Sequence, residues 1–166
     1  VRSLERMFEA APDFGVTAQM LTPEGFRQVG LPSYPDIRIA LASQQQVAKR
    51  IAEFGPDHIH IATEGPIGWL ARAACLAQKR SFTTSYHTRF PEYLHARTRI
   101  PVAWSWAMMR RFHEAGAGTF AATRSLREEL ARRGFTKVRA WTRGVDRARF
   151  RPEPREAWDG LARPVF

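Results

Sequence analysis

Short apolar runs alternate along the chain with longer stretches in which apolar residues recur every three or four positions. The short runs predict strands over residues 16–21, 37–41, 57–62, 81–86, 118–122 and 137–141. The longer stretches predict helices over 44–54, 67–79, 92–114 and from 125 up to Gly134. Ser43 is placed to cap the first helix, and Gly55-Pro56 ends it. Glu64-Gly65-Pro66 turns the chain into the second, and Pro101 interrupts the third. Ser125 is expected to cap the fourth, with Glu128 and Glu129 in a capping-box-like first turn and Arg132 and Arg133 at its negative end. The stretch after residue 21 is punctuated by Pro and Gly through Pro35, and the tail from Arg151 shows no periodicity. Strands separated by helices of this length imply βαβ crossovers. The expected fold class is α/β: a doubly wound, mostly parallel, Rossmann-like sheet with helices on both faces.

Composition adds bounds. At 166 residues, with 44% hydrophobic and 25% charged positions, the chain is the size and mixture of one ordinary globular domain. No apolar run reaches the length that crosses a bilayer. The opening residues lack an initiator Met and an apolar signal core, so the chain is expected to begin inside a longer protein. The single cysteine, Cys75, lies among apolar residues and reads as a packed thiol, which suits a reducing cytoplasm. The formal charge of +10 is uneven: residues 124–155 hold eleven basic and four acidic side chains, a net +7. Such a patch attracts nucleic acid, anionic lipid or nucleotide phosphates, and it equally describes a solvated arginine-rich face.

Ligands of an open parallel sheet bind beyond the carboxyl ends of its strands. That rule selects residues 63–66, 86–89, 123–125 and 142–144. None of these segments is a phosphate loop, a dinucleotide fingerprint, a zinc-ligand spacing or a nucleophile elbow. His58 and His60 share one face of a strand and, with no third ligand nearby, read as packed or hydrogen-bonded rather than metal-binding. His87, at a strand's carboxyl end, can donate to a sugar hydroxyl or a phosphate oxygen. Arg89 and Arg143 can neutralise a diphosphate, and Glu64 either contacts an acceptor or satisfies backbone donors at a helix start. Trp104, Met108 and Phe112 fall at i, i+4 and i+8 and predict a core-facing stripe. With Tyr93 and Trp106, the same aromatics beside a basic surface also suit an anionic leaflet.

Three ordered stretches resemble the N-terminal domain of the retaining glycosyltransferases of family 4, one half of a two-domain GT-B fold. They are Asp57-His58-Ile59-His60-Ile61-Ala62-Thr63-Glu64-Gly65-Pro66-Ile67-Gly68, Ser85-Tyr86-His87-Thr88-Arg89-Phe90-Pro91-Glu92-Tyr93, and Arg143-Gly144-Val145-Asp146 with Phe150, Arg151 and Pro152. The turn Ala122-Thr123-Arg124-Ser125-Leu126 fits as well, and the likeness is greatest to GDP-mannose-dependent α-mannosyltransferases and sulfoquinovosyl-diacylglycerol synthases. The resemblance implies an acceptor-side domain over residues 1–152, with 153–166 a linker or the start of a donor domain. It implies that His87 is the catalytic contact to the transferred sugar or its diphosphate. Glu64 and Gly65 would line the acceptor side, with Thr88 and Arg89 in the His87 loop. Ser125 would face the donor, and Arg143 and Gly144 would form the hinge-proximal turn. The reaction implied moves a hexose from a nucleotide sugar to a lipid or glycan with retention, without a metal or other cofactor. The expected location is cytoplasmic, in peripheral contact with the anionic inner face of the membrane, and no nucleic acid is expected as a partner. The family's first strand and glycine-rich loop would precede Val1, and its donor domain would follow Pro152, so this chain alone is expected to be inactive. Arg143 stands where the family more often has Asn.

The alternative is a non-catalytic Rossmann-like module that binds nucleic acid or anionic surfaces through its basic face, with affinity that falls steeply with salt. A nucleotide-dependent enzyme of another kind is disfavoured by the missing phosphate-loop fingerprint.

Overall fold

The computed structural model describes residues 7–31, 34–87, 91 and 99–141. Four parallel strands form the main sheet in the order β3 (His60–Ile61), β4 (Thr83–Ser85), β5 (Gly118–Ala121) and β6 (Val138–Ala140). Parallel neighbours need crossovers, and α2 (Pro66–Ala77), α3 (Val102–His113) and α4 (Arg124–Arg132) lie in the three intervals. The fold is α/β and Rossmann-like, a parallel sheet flanked by helices, as the alternation of runs predicts. The ladders are shorter than the apolar runs: β3 keeps two residues of the six expected, because only His60 and Ile61 find partners on β4.

Two differences from the predicted elements lie before the main sheet. Residues 16–21 join no ladder; they follow a 3-10 turn at Ala11–Phe14 closed by Gly15, and Val16 is exposed. In their place β1 (Arg27–Leu31) pairs antiparallel with β2 (Tyr34–Leu41), the two forming a separate sheet. The first of these strands falls within the Pro- and Gly-punctuated stretch. Its residues pair with neighbours three to fourteen positions away, so a local hairpin satisfies a backbone that the apolar pattern left unassigned.

Helix α1 (Gln44–Phe54) begins and ends where local chemistry dictates. Ser43 accepts from the Gln46 amide at 3.2 Å while the Gln46 side chain returns to the Ser43 amide at 2.8 Å, a complete capping box. Gly55 closes it at φ +62°, a conformation that costs other residues a Cβ clash. Helix α4 departs from its predicted start. Thr123, extended at φ −101° and ψ 152°, is the cap and accepts from the Leu126 amide at 3.2 Å. Ser125 therefore sits inside the first turn, and Glu128 and Glu129 lie beyond it, paired instead with Arg124 and Arg133.

The core has two parts. Val47 of α1, Ile61, Ala71 and Cys75 of α2, Phe82 and Phe112 form one; Tyr86, Trp106, Met109, Ala121, Leu130 and Phe135 form the other. Helix α3 belongs to both through a stripe of Ser105, Trp106, Met109, Phe112 and His113. Phe112 is thus core as expected, whereas Trp104 is 74% exposed. A helix advances 400° in four residues, so an i, i+4, i+8 series drifts by roughly 80°, enough to swing its first member off the buried face. Trp106 is held by Tyr86, stacked at 5.9 Å and 9°, and by the Arg133 guanidinium 3.9 Å from its ring.

Candidate functional site

All four strands of the main sheet point the same way, so Ile61, Ser85, Ala121 and Ala140 end at one edge. The segments chosen from the sequence begin there. Helices α2 and α4 start beside them and present their N-termini, the positive ends of the helix dipoles, toward the same edge.

His87 is the second residue past β4, and its ring lies 5.3 Å from that of Trp141, the residue after β6. Trp141 also meets Phe120 of β5 at 6.2 Å and His60 of β3 at 6.0 Å. The strand ends thus carry a continuous group of rings, His60, Phe120, Trp141 and His87. His60 is exposed over part of its surface, yet Nδ1 meets the Thr83 hydroxyl at 2.9 Å and Nε2 the Ser85 hydroxyl at 2.8 Å. Desolvation of the ring, with the nearby charge of His87 adding to it, pushes its pKa down to about 4. A ring with both nitrogens engaged is a packed strand residue and not a free ligand, as its position suggested. Among the described residues no group of three His, Cys, Asp or Glu is placed to hold a metal ion.

Glu64 and Gly65 occupy the turn between β3 and α2. Gly65 is the N-cap of α2, in extended conformation and with no side-chain cap. Glu64 does not serve those backbone donors. Its Oε1 accepts from Nε2 of His113 at 3.1 Å, at the end of α3, and its side chain stays 12% exposed. This pairing was not foreseen. The signal available was the position of His113 beside Phe112 on the apolar stripe of α3, where a histidine needs a polar partner. Gly68 seats the turn: a Cβ there would collide with the Thr63 carbonyl oxygen, so α2 approaches the Glu64 turn only because that position has no side chain.

Ser125 is exposed in the first turn of α4, and its hydroxyl lies 3.2 Å from that of Thr123. Thr88, Arg89, Arg143 and Gly144 lie outside the described residues. The geometry therefore brings His87 into one ring cluster with Trp141, places Glu64 on the neighbouring turn, and leaves Ser125 on a separate helix start. A carboxylate, an imidazole, an indole face and two helix N-termini at one sheet edge can grip hydroxyls, a pyranose face and phosphate oxygens.

The chain is 29% identical over 135 residues to a sulfoquinovosyl transferase of Arabidopsis thaliana, covering 77% of this chain and 26% of that protein. It is 24% identical over 170 residues to a GDP-mannose-dependent alpha-mannosyltransferase of Mycobacterium tuberculosis, covering 97% of this chain and 41% of the relative. A protein of the same name from Mycolicibacterium smegmatis is 29% identical over 121 residues, covering 68% of this chain and 32% of its own length. The chain thus spans well under half the length of these relatives. No solved structure matches it significantly. The model of Glycosyltransferase Family 4 matches residues 7–149, nearly the whole described fold and every turn at the sheet edge, and the chain belongs to that family.

Proposed function

We propose that the protein transfers a hexose of the mannose or glucose type from a nucleotide sugar to a lipid or glycan acceptor with retention of configuration. This chain is the acceptor-side half of a GT-B site, and a second domain supplies the donor half. The observation that carries the reading is the placement of His87 beside Trp141 at the carboxyl edge of the sheet, one turn from Glu64. An imidazole donor stabilises charge on a departing diphosphate, and helix N-termini do the same without a metal. In this reading Thr88, Arg89, Arg143 and Gly144 also contact substrate, and Ser125 faces the donor.

A lipid acceptor agrees with Trp104, exposed in the first turn of α3, on a helix whose last turn carries the exposed Arg110 and Arg111. A helix that presents an indole and cationic side chains to solvent suits peripheral contact with an anionic leaflet at the cytoplasmic face. None of the helices among the described residues is long and apolar enough to cross a membrane.

The test uses the protein in its full natural length, with GDP-mannose, UDP-glucose and UDP-galactose as donors. Vesicles of phosphatidylglycerol and diacylglycerol serve as acceptor, and nucleotide release is followed with and without His87→Ala. The expected result is release from one donor that falls at least ~100-fold in the variant, the scale of losing a preorganised donor to the transition state. Release untouched by the change keeps the family reaction and removes His87 from it. No release from any donor, together with polynucleotide binding that weakens steeply with salt, favours the basic-module alternative.

A further inference from the structure

A chain of hydrogen bonds runs through the interior behind the Glu64 turn. Glu64 Oε1 lies 3.1 Å from His113 Nε2, His113 Nδ1 lies 2.8 Å from Thr84 Oγ1, and Thr84 Oγ1 lies 3.3 Å from Thr119 Oγ1. His113, Thr84 and Thr119 are each 0% exposed. The chain joins the end of α3 to the two middle strands of the sheet and to the turn before α2. Its direction follows from donor and acceptor rules. A carboxylate only accepts, so His113 Nε2 donates to Glu64, and the Thr84 hydroxyl, beside Nδ1, donates on to Thr119.

Buried threonines cannot reach a substrate, so this is not a nucleophilic triad. Glu64 is the one member that reaches solvent, and it does so at the edge where the ligand site lies. Only Oε1 is taken up by His113. We infer that His113 is a positioning residue: it fixes the Glu64 carboxylate so that its second oxygen accepts a hydroxyl of the sugar acceptor. This inference rests on the transferase reading above and adds to it the residue that aims the acceptor contact. Without His113, Glu64 has more rotamers to lose when an acceptor binds, and Thr84 loses one of its partners.

Two near-isosteric substitutions separate positioning from mere support. His113→Gln places an amide nitrogen near the site of Nε2 and keeps the bond to Glu64. His113→Asn reaches only the site of Nδ1 and keeps the contact toward Thr84. Nucleotide release is measured with the donor alone and with the same phosphatidylglycerol–diacylglycerol vesicles added, and melting temperatures are compared. The expected result is that His113→Asn lowers vesicle-stimulated release about tenfold while its donor-only release stays within about twofold, and that Glu64→Gln lowers vesicle-stimulated release to a similar extent. His113→Gln keeps both rates near those of the unmodified protein, and the paired change Glu64→Gln with His113→Asn costs little more than either alone.

Equal losses in the Asn and Gln variants, or losses of both kinds of release together, overturn the positioning role and leave a structural one. Release that the vesicles do not stimulate in the unmodified protein overturns the acceptor role of Glu64. A protein inert with all three donors sinks the transferase reading itself. In that last case a histidine-ring nitrogen spectrum still reports separately on the pair: Glu64→Gln shifts the His113 Nε2 signal if the bond exists and leaves it in place if it does not.

Discussion

Both nitrogens of His60 already hold a hydroxyl, Nδ1 that of Thr83 and Nε2 that of Ser85. Protonating the ring would turn its acceptor nitrogen into a donor, in a partly desolvated position close to His87. In the unfolded chain the same histidine titrates near 6.5, against about 4 in the folded one. As pH falls between those values the unfolded state takes up a proton that the folded state refuses. The contribution of His60 to stability is therefore complete above the unfolded value and declines as pH drops toward about 4. A ring-proton NMR titration should place its midpoint near the lower figure; a midpoint near the ordinary value would mean the hydroxyl contacts do not persist in solution. That His60 is hydrogen-bonded could be read from two histidines on one strand without a third ligand. The link from Glu64 to His113 could not, because 49 residues separate the partners and neither local spacing nor charge points across that distance.

Helix ends were the most legible elements, since caps depend on a few adjacent residues. Ser43 as a cap and the stop at Gly55 read directly from the sequence, and the structure adds the return bond from Gln46. At α4 two hydroxyl residues, Thr123 and Ser125, competed for the cap, and the extended backbone at Thr123 decided it. Hairpin β1–β2 was half legible: the second strand alternates, while the first, with Gly30 at a register shift, has no apolar rhythm of its own. The start of α2 depends on Gly68 and gives a test at this level. Replacing Gly68 by Ala improves helix propensity by ~1 kcal/mol. It also drives a methyl into the Thr63 carbonyl, a backbone atom that cannot rotate away, and such overpacking costs ~1–3 kcal/mol. The collision should win. Urea unfolding of Gly68→Ala should show a net loss of up to ~2 kcal/mol, the difference between those two effects. Unchanged stability would show that the turn moves freely, and with it the Glu64 carboxylate.

The net charge of +10 invites a surface function, and some of the basic side chains that carry it are also bonded within the fold. Arg50 donates to the Gly25 carbonyl, Arg72 to those of Arg111 and Phe112 at the end of α3, and Arg80 to that of Pro56. Arg127 reaches the carbonyls of Ala121 and Ala122, and Lys137 those of Glu114 and Gly116. These bonds tie the side chains to carbonyls at helix ends and loops without neutralising their charge. Sequence shows how many cations there are but not which of them are fastened to the backbone. The hairpin is fastened in the same way: it shares no ladder with the main sheet, and the Arg50 guanidinium holds the chain at its base through Gly25 and the Phe26 ring, 4.8 Å away. Its strands leave Val29 and Leu41 about half exposed, whereas Thr84 and Thr119 of the main sheet are fully enclosed. The molecule should therefore open in two stages. Amide hydrogens of residues 27–30 and 38–41 should exchange with deuterium well before those of 83–85 and 118–121, which wait for global unfolding, so the hairpin can detach and reseat while the edge that carries His87 stays intact.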